Sequence, residues 1–339
     1  MNNHVDEPIP PADASLLPVE PPAIIEPSPL HKVFIGKDGL RAGWSLLIFI
    51  AFVAAISFFV RHFHRQLHMP DESAVNGKSG FPPSFGLIAE GLNFGIIAIL
   101  TWIMSKIERR PVAVYGLGDS RKLRRFFAGF VWGVTCLSLL ILTLWQSGLM
   151  AFDGRILFGA DILRYGAVWL LVFLLVGLAE EYTTRGFVQY TLTRGLAAIY
   201  RSIFKTRHSQ ALGFWTSALI FSILFGLGHS SNPGESPIGL LSAGTAGLVF
   251  CFSLWRTGSL WWAIGFHTSW DWGQSFLYGV PDSGLITQHH LLATHPIGKP
   301  ILSGGTTGPE GSIFIVAILA IVAVIILLTL PRRQAILPV

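Results

Sequence analysis

Residues 165–186 read YGAVWLLVFLLVGLAEEYTTRG. Fifteen uncharged residues, Tyr165 to Ala179, run directly into Glu180 and Glu181, and Arg185 follows four positions after the second carboxylate. An apolar run of this kind predicts a helix that enters a bilayer, which takes about 17–25 residues to cross. Ionisable groups inside such a helix are costly and are functional by default, so each needs a named partner. The remainder of the chain is read as the scaffold that makes the pair tolerable.

Composition supports that frame. The chain has 339 residues, of which 51% are hydrophobic and 13% charged, with a net charge of +5 and a mean hydropathy of +0.56. Soluble domains carry roughly 25% charged residues, so composition disfavours a soluble globular fold. The positive charge is assigned to loops facing a membrane surface, and no nucleic-acid partner is expected. Cys136 and Cys251 both lie in apolar runs, which implies no disulfide framework. The N-terminus lacks the basic-then-apolar layout of a signal peptide.

Residues 1–40 place eight prolines before position 30 among Asp and Glu, a composition that cannot bury a core and predicts a disordered cytosolic tail. Apolar runs of spanning length follow at 42–60, 85–105, 126–150, 165 into the Glu pair, 211–228, 238–255, 259–278 and 312–330. The expected fold is therefore an all-α polytopic bundle of about eight transmembrane helices. Its expected divisions are the tail 1–40, two helices and a basic loop over 41–125, a core over 126–280, and an outer loop, last helix and short tail over 281–339. With the N-terminus inside, the inner loops carry most of the loop Lys and Arg, including Lys106, Arg109, Arg110, Arg121, Lys122, Arg124, Arg125, Arg201, Lys205 and Arg207. The positive-inside rule then places both termini in the cytosol.

Three polar stations interrupt these helices. Adjacent helical residues point about 100° apart, so Glu180 and Glu181 cannot face one partner. Glu181 and Arg185 stand at i,i+4 in the favourable order for an ion pair, which leaves Glu180 free as a candidate base. The competing reading is a solvated helix end at the cytosolic interface. The second station is Phe225-Gly226-Leu227-Gly228-His229, where a histidine ends an apolar run with an aromatic one turn before it; an interfacial histidine is the bland alternative. The third is His267 with Asp271, four apart and about 12 Å into helix seven; a structural polar pin is its alternative.

Glu, His, His and Asp from three spanning segments allow two chemistries. In one, a carboxylate and an imidazole activate water while the other pair stabilises an oxyanion. In the other, Glu180, His229 and His267 bind a divalent metal such as zinc, whose water is the nucleophile. One geometric tension accompanies both. With straight helices Glu180 and His267 fall in the cytosolic half of the membrane, whereas His229, about 21 Å beyond Trp215, falls in the outer half. Convergence requires helix five to start later or to tilt, or the boundaries to move by a turn.

Glu180-Glu181-x3-Arg185, Phe225-x3-His229 and His267-x3-Asp271, in that order on successive helices, resemble the CPBP family of intramembrane proteases. That family includes CAAX prenyl endopeptidases and bacterial relatives linked to bacteriocin self-immunity. The resemblance runs from about Ala128 to Tyr278. It implies a multi-pass protein of a bacterial plasma membrane that hydrolyses a peptide bond in a membrane-associated or lipidated protein. Glu180 and His229 would activate water, His267 and Asp271 would stabilise the oxyanion, and Glu181, Arg185 and Phe225 would support them. Metal dependence stays open, with no required cofactor the leading expectation. Many members carry Asn at the position of Asp271; an Asp donates to an oxyanion only when protonated, which favours orientation of His267 as its role here.

Other polar groups are set aside. His62, His64 and His68 adjoin Arg61 and Arg65 just beyond helix one, and His289, His290 and His295 lie in a Gly- and Pro-bearing loop without a carboxylate in step. Glu90 and Asn93 suit either an interface or the site. Trp255, Trp261, Trp262, Trp270 and Trp272 suit an interface belt with some site lining. Two rival functions remain: a non-proteolytic immunity or scaffold protein, and an ion transporter with a buried relay.

Overall fold

A computed structural model describes residue 28 and residues 33–36, 39–66 and 80–331. Most of the expected Pro-rich tail 1–40, His68 and the segment after residue 331 lie outside the described residues; the end of that tail, at 35–36 and 39–40, forms a hairpin and is not disordered.

The architecture is helical. A short hairpin, β1 (Ile35–Gly36) with β2 (Gly39–Leu40), leads into α1 (Ala42–Gln66), followed by α2 (Pro83–Ile107) and α3 (Lys122–Gln146). Next come α4 (Ala160–Glu181), a π-helical segment Tyr182–Val188 and α5 (Gln189–Ser202), then α6 (Ser209–Gly228) and α7 (Pro237–Thr257). The series ends with α8 (Trp261–Trp272), a second π segment Gly273–Tyr278, and α9 (Ile315–Thr329). Six helices are long and apolar enough to cross a membrane, at 42–60, 83–107, 122–146, 160–202, 209–231 and 237–257. The seventh expected helix forms as α8 continued by the π segment, 18 residues from Trp261 to Tyr278, and the eighth as the 15-residue α9, which is shorter than a full crossing.

Two boundaries are corrected. Helix four does not end at the glutamate pair: α4, the π segment and α5 form one helical rod of 43 residues, from Ala160 to Ser202. Helix three stops at Gln146, not Met150, because Gly148 turns the backbone to φ +70°. Met150–Arg155 then becomes β3 and pairs antiparallel with β4 (Leu292–Pro296), a ribbon that hydropathy assigned to helix and loop.

Small residues set how closely the helices approach. Gly129 and Gly133 on α3 lie against α8: a Cβ at Gly129 would stand 2.0 Å from the Trp262 carbonyl oxygen. Gly265 on α8 reciprocates, 2.0 Å from the Phe126 carbonyl. This small-x3-small contact presses the two backbones together, as in membrane helix pairs generally. It seats the helix bearing His267 and Asp271 deep in the bundle. The tryptophans follow suit. Trp262 is fully buried and Trp270 nearly so, while the indole N–H groups of Trp261 and Trp272 donate to the Leu117 and Gly166 carbonyls. These four serve as core and helix ties, and Trp270 also lines the cavity, the site lining expected of part of the set.

The bundle has two unlike ends. At one, the connections 108–121, 203–208 and 258–260 carry Arg109, Arg110, Arg121, Lys205 and Arg207. At the other, the β3–β4 ribbon and the loops 229–236 and 279–311 make a cap, whose described cations are Arg155, Arg164 and Lys299.

Candidate active site

Glu180 stands midway along the 43-residue rod, not at the end of a short helix. The rod changes winding immediately after the glutamates: Tyr182–Val188 is π-helical, and the hydroxyl of Thr183 back-bonds to the Ala179 carbonyl. The second π segment begins two residues after Asp271. Single-turn π insertions are rare and concentrate at functional sites, because they re-aim side chains without ending the helix.

Glu181 is fully buried. Its Oε1 accepts from Arg185 Nη1 at 2.8 Å, the i,i+4 pair expected from the spacing. The same oxygen also accepts from His267 Nδ1 at 3.0 Å, a contact between residues 86 apart in sequence. Glu181 therefore braces two elements at once. This reassigns the orientation of His267: Glu181 holds Nδ1, whereas Asp271 Oδ2 lies 3.4 Å from Nε2 on the cavity side. Glu180 Oε2 also faces Nε2, at 3.8 Å, and the Glu180 side chain is one-third exposed, at 34%.

His229 caps the end of α6. Its Nδ1 lies 2.8 Å from the Phe225 carbonyl oxygen. A carbonyl can only accept, so Nδ1 carries the proton and Nε2 of the neutral ring is a free lone pair. Phe225 packs its ring edge-on against His229 at 4.8 Å, and its face takes the Arg185 guanidinium at 4.1 Å.

The depth of His229 is resolved by the pairing of the rod with α6. The two run antiparallel, with Thr193 bonded to Ser217 and Arg185 stacked on Phe225. One turn further along each helix brings Glu181 level with His229. The tension between outer and inner halves disappears because the glutamates lie deeper from the basic end than a helix ending at Glu181 allows. Gly226 lets α6 approach its other neighbour, α7, closely: a Cβ there would overlap the Leu240 carbonyl.

Glu180, His229, His267 and Asp271 all line one cavity of about 690 Å³. Glu90 and Asn93 line it too, joined by a 3.2 Å hydrogen bond. Sequence reasoning missed Asn232, Ser275, Asp282, Ser283 and Glu310, which complete the wall at the capped end. Asp282 accepts from Gln274 and Ser275, and Glu310 accepts from both the amide and hydroxyl of Ser283. No local pattern marks these loop residues. Burial pushes the Asp282 carboxyl well above the ordinary range, and the neighbouring carboxylates of Asp271 and Glu310 push it the same way. Phe225 lies on the wall, and Arg185, stacked on its ring, lies behind it.

Among the histidines set aside, His295 meets a carboxylate only in three dimensions, Asp153 across the β3–β4 ribbon at 2.8 Å. His289 stacks on Tyr165 with ring centroids 4.1 Å apart. Neither lines the cavity. For a metal, the described residues hold no group of three or more His, Cys, Asp or Glu side chains placed to bind one ion. Glu180, His229 and His267 share a wall without forming such a group.

Apolar helices that enclose ionisable groups around a cavity define an integral membrane protein with an intramembrane polar centre. Residues 162–273 match the family described as Rce1-like, type II CAAX prenyl endopeptidase Rce1-like. That segment, about a third of the chain, contains all three motifs. No curated protein and no solved structure matches the chain.

Proposed function

We propose that the cavity is the active centre of an intramembrane endopeptidase acting on a membrane-associated or lipidated protein of the CAAX-processing type. One observation carries this reading. The base candidates Glu180 and His229 and the donor candidates His267 and Asp271, drawn from three different helices, line a single cavity.

In this mechanism a water held between Glu180 and His229 Nε2 gives up a proton as its oxygen attacks the scissile carbonyl. The carbonyl oxygen becomes an oxyanion beside His267. With Nδ1 donating to Glu181, the Nε2–H of the protonated ring is the donor available to that oxyanion. Asp271 Oδ2, 3.4 Å from the same Nε2 in the resting site, gives up that contact as the oxyanion forms. Collapse of the intermediate breaks the C–N bond, and the proton taken from water passes to the leaving amine. No step is routed through a metal.

The test is cleavage of lipidated peptides by the purified protein in nanodiscs, with and without chelator. Glu180→Gln is expected to lower turnover by about 10³-fold or more, with an unchanged melting temperature. Chelator is expected to leave the wild-type rate unaltered. Loss of activity restored by zinc would transfer water activation to a metal on Glu180, His229 and His267. Full activity in Glu180→Gln would overturn the proposal.

A further inference from the structure

An oxyanion beside His267 is best held by more than one donor, and the side chains of the cavity wall have few to give. The hydroxyls are already committed. Those of Thr183, Thr184 and Ser242 donate back into their own helices, to the carbonyls of Ala179, Glu180 and Gly239. Ser275 donates to Asp282, Ser283 to Glu310 and Thr287 to the Ser275 carbonyl. A hydroxyl has a single proton, so each of these is spent. Asp271, when ionised, can only accept. The carboxamides of Asn93 and Asn232 donate to Glu90 and to the Ser283 carbonyl and keep one N–H each. They stand on α2 and in the connection after α6, away from the helix that carries His267.

Trp270 is different. It lines the cavity and follows His267 by one turn on α8. Residues three apart on a helix share a face, with Cβ atoms about 5–6 Å apart. The indole N–H groups of Trp261 and Trp272 are spent on carbonyls, and that of Trp262 is sealed in the core. The Trp270 Nε1 has no hydrogen-bond partner among the described residues, and unlike that of Trp262 it is not sealed off. Since Trp270 is only 8% exposed and packs within the bundle, the space its N–H reaches is the cavity. An indole N–H in a buried setting ordinarily finds a partner, and one without calls for an explanation.

The ring is held in this attitude. It stacks on Phe266, 16° from parallel with centroids 5.8 Å apart. Phe266 is itself pressed against α3, where a Cβ at Gly133 would meet its carbonyl oxygen at 2.5 Å.

We infer that the indole N–H of Trp270 is a second donor to the oxyanion, beside the Nε2–H of His267. This assignment rests on the peptidase reading above. The indole is neutral and transfers no proton. It supplies a fixed dipole where negative charge develops, and it does so in one protonation state at every working pH. It fills the place that an ionised Asp271 cannot.

The test removes the N–H and leaves the shape. β-(3-Benzothienyl)alanine, installed at position 270 by stop-codon suppression, keeps the bicyclic ring of tryptophan and puts sulfur where the N–H was; Trp270→Phe is the encoded companion. With the protein in nanodiscs, kcat of the isostere variant is expected to fall about 10²-fold, the effect of removing one oxyanion donor, with KM within about twofold of wild type. A peptide phosphonate, tetrahedral at the scissile position, is expected to bind that variant about 10²-fold more weakly. The parent peptide, measured on the Glu180→Gln forms of both proteins, is expected to bind them equally. Full kcat in the isostere variant overturns the assignment. So does a loss carried entirely by KM and by parent-peptide affinity, which would make Trp270 a packing surface for substrate. The same kcat loss in Asn232→Ala, with none in the isostere variant, moves the role to Asn232. If Trp270→Phe melts early, the isostere variant alone decides. A wild-type protein that cleaves no peptide and binds the phosphonate no better than the parent removes the peptidase reading and the assignment with it. A wild-type protein that cleaves, with the isostere variant unchanged, removes the assignment alone.

Discussion

At the scale of single residues, Glu181 and Asp282 show how burial decides what a carboxylate does. Glu181 is enclosed between Arg185 and His267, and one of its oxygens serves both. Removing one member of a buried ion pair leaves the other charge without compensation, which costs about 3–5 kcal/mol. Glu181→Ala is therefore expected to lower the apparent melting temperature sharply, whereas Glu180→Gln leaves it unchanged. Differential scanning fluorimetry of the two variants in one detergent checks this; equal destabilisation would mean that the glutamates share the structural role. Asp282 presents the opposite case, a loop carboxyl whose burial and acidic neighbours raise its pKa. A carboxyl raised in the folded state binds its proton more tightly there than in the unfolded chain. Its contribution is neutral below about pH 4, the unfolded value, and becomes destabilising as the pH rises above it. Asp282→Asn is expected to raise the apparent melting temperature at pH 8 and to leave it unaltered at pH 4. An equal shift at both would assign the effect to packing.

At the scale of elements, the seating of α8 depends on backbone contact with α3. Gly129, Gly133 and Gly265 leave no room for a methyl group, because a Cβ at Gly265 would overlap the Phe126 carbonyl at 2.0 Å. Gly265→Ala is expected to cost about 3 kcal/mol, the upper end of overpacking penalties, and to reduce peptide cleavage by displacing His267 two residues on. Thermal unfolding and cleavage rates measured together check the link; a destabilised variant with full activity would separate the helix contact from the site. The π segments belong to this scale as well. They follow the glutamate pair and Asp271 and continue helices that hydropathy alone ends or leaves straight. The i,i+4 spacings of Glu181 with Arg185 and His267 with Asp271 were legible because they need only helical periodicity. The change of winding was not, since it depends on five-residue hydrogen bonds that neighbouring helices stabilise.

At the scale of the whole molecule, the acidic wall and the cap define what the cavity attracts. The wall carries five Asp and Glu side chains against two histidines and no Lys or Arg, an excess of acidic groups inside a low-dielectric enclosure that favours positively charged ligands. Peptides with Lys or Arg beside the scissile bond are expected to show kcat/KM about tenfold above their Glu counterparts, with the difference narrowing as salt is raised. Equal rates at low salt would show that the wall carboxylates are neutral or distant from the peptide. The sequence by itself determined that the chain spans a membrane, which helices carry the ionisable groups, and that Glu180, His229, His267 and Asp271 are the residues to watch. Those properties follow from hydropathy and from positions one turn apart, both of them local. Only the tertiary structure decided that Glu181 grips His267, that His229 lies level with the glutamates, and that Asp282 and Glu310 close the cavity. Such contacts join residues far apart in the chain, and they depend on how long the glutamate rod runs and how closely its neighbours pack, which no local pattern encodes.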